Sequence, residues 1–471
     1  MSFEGIVADT RKRKAAMNDS KELERIINDA RNEPVLRLEA LAQLAEMMGQ
    51  PAARSGESNN HIHTCYSFSP YTPSGAALAA RNAGLDVAGS VDHDSYAAAS
   101  EMRAACALLD IAVVTGFELR VSLSEAARSF PEKTATMLTT RKLNNPDSIG
   151  IVYMTVQGIP APALKKIKAF LSPIRAARYR RSALMAELAN DILLSLGLPG
   201  IDFEKDVVSN SKYSEGGTIT ERHLLAAVSR SILSQVEPGN ELIKWLEKKL
   251  DLVLTGSQKR NLSESQNPYL VYDLLGALKA GFLERIFIQP TEECVDVRDV
   301  ISFANRIGAI PAYAYLGDVA ESPTGDKRAE KFEDEILDEL IPVIKELGFP
   351  AITYMPPRNT KEQLLRLQGL CKKYNLMEIS GVDINQPRQS FRCPELLLPE
   401  FRHLDDATWA MVAHEALSGF DLRLGLFSAE NPLADMPITE RIRRYATVGR
   451  AIDFREPGSL EKQAELLFLE K

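Results

Sequence analysis

Histidine is scarce in this chain: there are six in 471 residues. The five cysteines, at 65, 106, 294, 371 and 393, are scattered, and no two form a C-x-x-C pair. That argues against a cysteine-rich zinc site and a disulfide framework, and it suits a reducing cytoplasm. No apolar run approaches the roughly 20 residues that span a bilayer. The opening stretch, MSFEGIVADTRKRKAAMNDSKELERI, lacks the apolar segment of a secretory signal. The expectation is a cytoplasmic protein with no membrane partner. Positive charge is also in deficit, with a net charge of −8, so nucleic acid is not an expected partner. The basic run Arg11, Lys12, Arg13, Lys14 reads as a solvated, frayed terminus. The remaining composition, 45% hydrophobic and 25% charged, is that of an ordinary globular enzyme. The length fits one elaborated barrel or two domains.

Against that scarcity, NNHIHTCYSFSPY (59–71) places His61 and His63 one residue apart. On a strand, positions i and i+2 share a face. His-x-His there offers two imidazoles side by side, which suits two ligands on one metal ion. Two polar residues in a surface loop is the other reading, and these residues alone leave both open.

Residues 1–58 read as a helical N-terminal extension, with KELERIINDA and VLRLEALAQLAEMMG at helix period and Gly49 as a stop. From 59 the texture changes. LDVAGSVDHD reads as a strand, SYAAASEMRAACALL as a helix, and IAVVTGFELRV and SIGIVYMTVQGI as strands. The alternation returns with FLERIFIQP, AIPAYAYLGD, PAITYMP and LMEISGVD as strands between helical runs. Such alternation implies parallel strands covered by helices. The expected fold is α/β, a barrel in two halves, 59–162 and 281–425. Between them, 163–280 reads as a helical insertion with Thr218 or Thr220 as an N-cap, and 426–471 as a helical appendage. Arg175, Arg178, Arg180 and Arg181 read as a solvated helix face.

In a βα barrel the reactive face is where the strands end. His61 and His63 lie on the first strand. Asp92, His93 and Asp94 end the second and Glu118 the third. Tyr315 and Asp318 follow a later strand, and Asp383 follows the last. Each carboxylate alone could be a helix cap, but together they gather potential ligands at one mouth.

HIHTCYSFSPYTP, then DHD, GFE and finally GVDIN, with GGTITERHL in the insertion, resembles the PHP (polymerase and histidinol phosphatase) superfamily over about 59–420. That resemblance implies a distorted (β/α)7 TIM-like barrel and metal-dependent hydrolysis, mostly of phosphate esters, with up to three divalent ions. It also implies departures. Phe68, Tyr315 and Asn385 stand where further metal ligands are expected. Carried over by position, His61, His63, Glu118 and Asp383 form one intact metal site. His93 remains as a second-site ligand or general acid–base group.

The expected cofactor is zinc, manganese or iron, in fewer than three copies. Where the site is catalytic, the ion would activate water, and His93 and Asp94 would be the catalytic pair, with Asp92 or Asp94 orienting His93. Arg388, Arg222 and His223 are the first candidates to bind a small phosphorylated substrate, with Lys327 and Arg358 behind them. His403 and His414 read as structural. Three functions stay open: a phosphoesterase acting on a small phosphorylated metabolite or nucleotide, a degenerate barrel that binds a ligand or partner, and a metal-dependent C–N bond hydrolase.

Overall fold

The computed structural model describes residues 19–49, 55–264, 266–318, 332–453 and 458–469. Eight strands are described: β1 Ser58–Ile62, β2 Val87–His93, β3 Ala112–Ser122, β4 Ile151–Gln157, β5 Val295–Asp296, β6 Ile310–Ala314, β7 Ala351–Tyr354 and β8 Met377–Ser380. Seven run in the order β1-β2-β3-β4-β6-β7-β8, and β5 is a two-residue addition to β3. The ring closes just past β8. Ile384 bridges Ile62 in parallel, accepting from His63 N–H at 2.9 Å and donating to His61 C=O at 3.1 Å. The fold is a distorted TIM-like barrel, as the alternation implied.

One strand breaks the expected parallel arrangement. β4 runs antiparallel to both β3 and β6. Ser122 at the end of β3 lies opposite Ile151 at the start of β4, and Leu123 N–H bonds Gly150 C=O. The excursion between them leaves and returns at the mouth, so β4 can only run back toward the other end. A strand's apolar pattern carries no direction, so the sequence could not show this. A second expectation also fails: FLERIFIQP is not a strand. Phe282–Ile286 is a short helix whose Phe282, Leu283 and Ile286 bury in the helical cluster of the insertion. A short apolar run fits a buried helix as well as a strand.

Because β4 ends at the far end, the chain must climb back. It does so on a 32-residue helix, Leu164–Ser195, about 48 Å long at 1.5 Å per residue. Its lower half packs against the barrel's main apolar cluster through Ile167, Leu171 and Ile174. Its upper half, with Met185, Ala189 and Leu193, belongs to a separate apolar cluster shared with the helices Glu221–Leu233, Asn240–Lys249 and Leu270–Lys279.

Where the two clusters meet lies a buried charge cluster. The expectation of a solvated arginine face fails here. Arg178 and Arg181 are 2% and 6% exposed. Arg178 bonds Asp94 (2.5 Å) and Glu221 (2.8 Å). Arg181 bonds Glu221 (2.7 Å) and Glu293 (2.8 Å). Arg120 from β3 reaches Glu221 (2.8 Å) and Glu293 (3.3 Å). Three cations thus face three carboxylates out of water, and the arrangement ties the insertion to β2 and β3. Arg175 is half-buried and donates to Gly217 and Tyr213 carbonyls, which leaves Arg180, paired with Glu292, as the solvated member.

The helices Ser20–Asn28 and Pro34–Met48 sit over the helices following β1 and β2, and Arg37, wholly buried, pairs with Glu101 at 2.6 Å. The helix His403–Phe420 packs on the outside of β8, β3 and β1 and carries the helix Ile438–Ala451 against it. The basic run 11–14 lies outside the described residues. No described helix is long and apolar enough to cross a membrane.

Candidate metal centre at the barrel mouth

β1 is irregular where it matters. Its pairing with β2 shifts register between Asn59 and Ile62, and the two asparagines before HIH fill the gap with side-chain bonds. Asn59 Oδ1 accepts from His61 N–H (3.0 Å) and Val382 N–H (2.8 Å), while its amide donates to Val382 C=O (3.0 Å). Asn60 donates to Ser380 C=O (2.9 Å) and Thr408 Oγ1 (2.8 Å). These bonds replace a missing ladder and hold the first histidine strand against the segment that delivers Asp383. Gly381 is required there, because a Cβ on it would lie 2.6 Å from His61 Cβ and 2.9 Å from His61 N. His93 and Glu118 are direct register partners on β2 and β3, so they share one level. β3 runs on past Glu118 to Ser122, with Val121 and Ser122 pairing β5 and β4.

Four of the predicted metal ligands converge. His61 Nε2 and His63 Nε2 are 3.3 Å apart. His63 Nε2 is 3.3 Å from Glu118 Oε1 and 3.1 Å from Asp383 Oδ1. His61 Nε2 is 3.6 Å from Glu118 Oε2. Ligand atoms about 2.1 Å from a shared ion stand roughly 3.0–3.4 Å from one another at octahedral or tetrahedral angles. The spacing therefore fits the edges of a coordination polyhedron. The electrostatics agree. Burial opposes charge on His63, but the Asp383 and Glu118 carboxylates outweigh it and push the imidazole up to about 10. Burial likewise opposes charge on Glu118 and Asp383, yet the histidines hold both below the usual carboxylate range. The site is built to surround a positive charge. His61, His63 and Glu118 form the compact three-donor group among the described residues.

His93 is stacked on His63 at 4.7 Å, with Nδ1 2.9 Å from Glu118 Oε1. Burial pushes it down, against the pull of Glu118. Neither aspartate of the DHD motif orients it. Asp94, with φ of 47°, is bound to Arg178, so its predicted catalytic role gives way to membership of the charge cluster. Asp92 accepts from Thr64 and Ser67 instead.

The predicted substrate-binding residues divide. Arg222 lines the mouth cavity beside His61 and Asp383. His223 does not line it. It is the N3 residue of a capping box on the helix Glu221–Leu233, where its Nδ1 accepts from Thr220 N–H at 3.1 Å. Burial first, then the arginines around it, push it down to about 3. Thr220, not Thr218, is the cap. Arg388 is a further correction: it lies at the surface, committed to Asp273 and Glu264 at 3.0 Å each, and is absent from the cavity wall. The cavity wall carries instead Arg358, an expected candidate, and Lys279, which was not expected. Lys327 lies outside the described residues. His403 stands near Glu378, and His414 is buried on the same helix.

The positions that depart from the ligand pattern have other partners. Phe68, held at φ of 76°, packs its ring edge-on to His223 and beneath the Arg222 guanidinium, 5.5 Å from ring centre. Asn385 C=O accepts from Arg222 Nη2 at 3.0 Å, and its amide donates to Asp383 Oδ1 at 2.7 Å. Two departures thus seat one arginine beside the candidate metal ligands. Tyr315 donates to Asp334 at 2.5 Å, and Asp318 Oδ1 caps Phe332 and Glu333 N–H groups.

The cavity over these ligands holds about 260 Å³, the scale of a small metabolite. His61, His93, Glu118 and Asp383 line it. Leu225, Leu283, Phe287, Met355 and Pro357 give it an apolar wall, and Arg222, Lys279 and Arg358 give it charge.

No protein-family model matches the chain, and no curated protein matches it. Among solved structures it is similar to a protein of Bifidobacterium adolescentis presumed to be a metal-dependent phosphoesterase. The identity is 19% and the TM-score 0.45, over 74% of this chain and 96% of that one. It is also similar to an amidohydrolase of Chromobacterium violaceum solved with bound sulfate and no metal. There the identity is 16% and the TM-score 0.46, again over 74% and 96%. Likeness this distant carries no argument about activity.

Proposed function

We propose that this chain is a metal-dependent hydrolase of the PHP type acting on a small phosphorylated molecule. The observation that carries the reading is the 3.1–3.6 Å spacing of the donor atoms of His61, His63, Glu118 and Asp383, in a buried site that favours positive charge. His61, His63, Glu118 and Asp383 would hold a divalent ion, which would supply Lewis acidity for hydrolysis. His93, whose charged form burial disfavours, would accept or return the proton at the reacting centre. Arg222, seated by Phe68 and Asn385, orients the anionic group, with Lys279 and Arg358 on the same wall. The apolar wall takes an uncharged part of the substrate.

A second reading has its own support. The compact donor group is one, not several, among the described residues, and Phe68 and Tyr315 carry no donor that joins it. A single ion serves C–N bond hydrolysis as well as ester hydrolysis.

The test is elemental analysis of wild type and His61→Ala purified without chelator, followed by turnover on parallel phosphoester, amide and lactam panels. One equivalent of zinc, manganese or iron, lost in the variant, together with phosphoester turnover, supports the proposal. Turnover of amides or lactams alone selects the second reading. A metal-loaded protein silent on every panel marks a degenerate, ligand-binding barrel.

A further inference from the structure

Ser67 lies 1% exposed between His63 and Asp92. Its Oγ is 2.5 Å from Asp92 Oδ1 and 3.2 Å from His63 Nδ1. Asp92 faces donors throughout: Thr64 N–H at 2.7 Å on Oδ1, and Thr64 Oγ1 at 2.7 Å on Oδ2. A serine hydroxyl has a single hydrogen, and an ionised carboxylate only accepts. The Ser67 hydrogen therefore goes to Asp92. The opposite polarity would leave two oxygens 2.5 Å apart with no hydrogen between them. What Ser67 offers His63 is then a lone pair, so Nδ1 must carry a proton. Nε2 then donates to the Asp383 and Glu118 carboxylates while no ion is bound, and it is the nitrogen that would give up its proton to an ion at the point where His61, Glu118 and Asp383 converge.

We propose that Asp92, acting through Ser67, holds His63 in the tautomer that can bind a metal through Nε2. Thr64 fixes Asp92 with two bonds, so the whole HTCYS turn locks one imidazole. Asp92 and Ser67 are positioning residues: Ser67 touches only the Nδ1 side of the His63 ring, and neither residue lines the cavity. Partners of this kind set ring orientation and ligand basicity, and their loss costs about 10–100-fold in metal affinity. The consequence for affinity rests on the metal reading above; the proton position does not.

The experiment uses whole protein labelled with 15N-histidine. In wild type, His63 is expected to show an Nδ1–H resonance protected from solvent exchange, assigned by its loss in His63→Gln. In Ser67→Ala that protection is lost, and zinc affinity, read by competition with a chromophoric chelator, falls about 10–100-fold. Ser67→Thr, which keeps the hydroxyl, restores both to within about threefold. An unprotonated Nδ1 in wild type overturns the proposal without any variant. So does a folded Ser67→Ala that keeps the protected resonance. A wild type with the protected Nδ1–H but no uptake of zinc, manganese or iron supports the tautomer assignment and overturns the metal-dependent function instead.

Discussion

Glu293→Gln removes one negative charge from the buried cluster and keeps its shape. Glu293 bonds Arg181 through both oxygens at 2.8 Å and reaches Arg120 at 3.3 Å. Two such pairs, with their charge centres about 4 Å apart, are worth about 8 kcal/mol together at an effective dielectric near 20. Neutralising the carboxylate also relieves its desolvation, several kcal/mol. The net cost is about 3–5 kcal/mol, because three guanidiniums are left facing two carboxylates. Adding Arg181→Met restores two against two, so the double variant should recover at least about 2 kcal/mol of the summed single losses. The chain's two tryptophans make the assay specific. Trp245 packs in the insertion's cluster and Trp409 in the cluster outside β8. Urea unfolding, followed in Trp245→Phe and Trp409→Phe backgrounds, should give coincident transitions while Glu293 is intact. In the Glu293→Gln variant the Trp245 transition should come first, because the tie to the barrel is weakened. A loss under about 1 kcal/mol, or strictly additive singles, would refute the coupling.

Other outcomes follow from the same geometry. Gly381→Ala should displace His61, since its Cβ would stand 2.6 Å from the His61 Cβ; metal affinity should fall at least tenfold, whereas unchanged affinity would show that the strands can part. Arg222→Met should raise KM for a phosphoester far more than it lowers kcat, and should leave metal content unchanged by elemental analysis. Stability should fall in acid. Burial holds His414 down to about 4 from 6.5, so the unfolded chain takes a proton that the folded one refuses. The stability is complete above about pH 6.5 and is lost as pH falls toward 4, by about 3 kcal/mol in total. His414→Gln should flatten that slope in pH-dependent urea melts; an unchanged slope would assign the protons elsewhere.

The four residues that converge at the mouth were legible because each belongs to a short local pattern of rare or charged residues at a strand end: His61 and His63 by their spacing, Glu118 and Asp383 by what precedes them. What surrounds them was not. Arg120 and Glu293 are 173 residues apart, and Arg178 and Asp94 are 84 apart. A charged residue reads as solvated until its partner is known. Asp94 and Arg178 were misread together for that reason, each lacking the other. His223 follows Thr220 at capping-box distance, a signal present in the sequence. Arg388 sits just past Asp383 in sequence, yet the chain turns toward the insertion, where Asp273 and Glu264 hold it. The asparagine pair 59–60 gave no sequence signal, because all but one of its side-chain bonds go to residues more than 300 positions later, at Ser380, Val382 and Thr408. Barrel topology was legible in outline from the alternation; the reversal of β4 was not, since apolar periodicity is the same read either way.

The closure between β1 and the segment after β8 has a consequence in time. Asn59 and Val382 are 323 residues apart, so the chain must emerge almost entirely before the ring can shut. Contacts this remote in sequence form late and slowly. His61, His63 and Glu118 can assemble early, on the first three strands, but Asp383 arrives only with the last strand. Ion capture at full coordination should therefore report completion of the barrel: during refolding, the rate of tight metal uptake should equal the rate of the slowest structural phase.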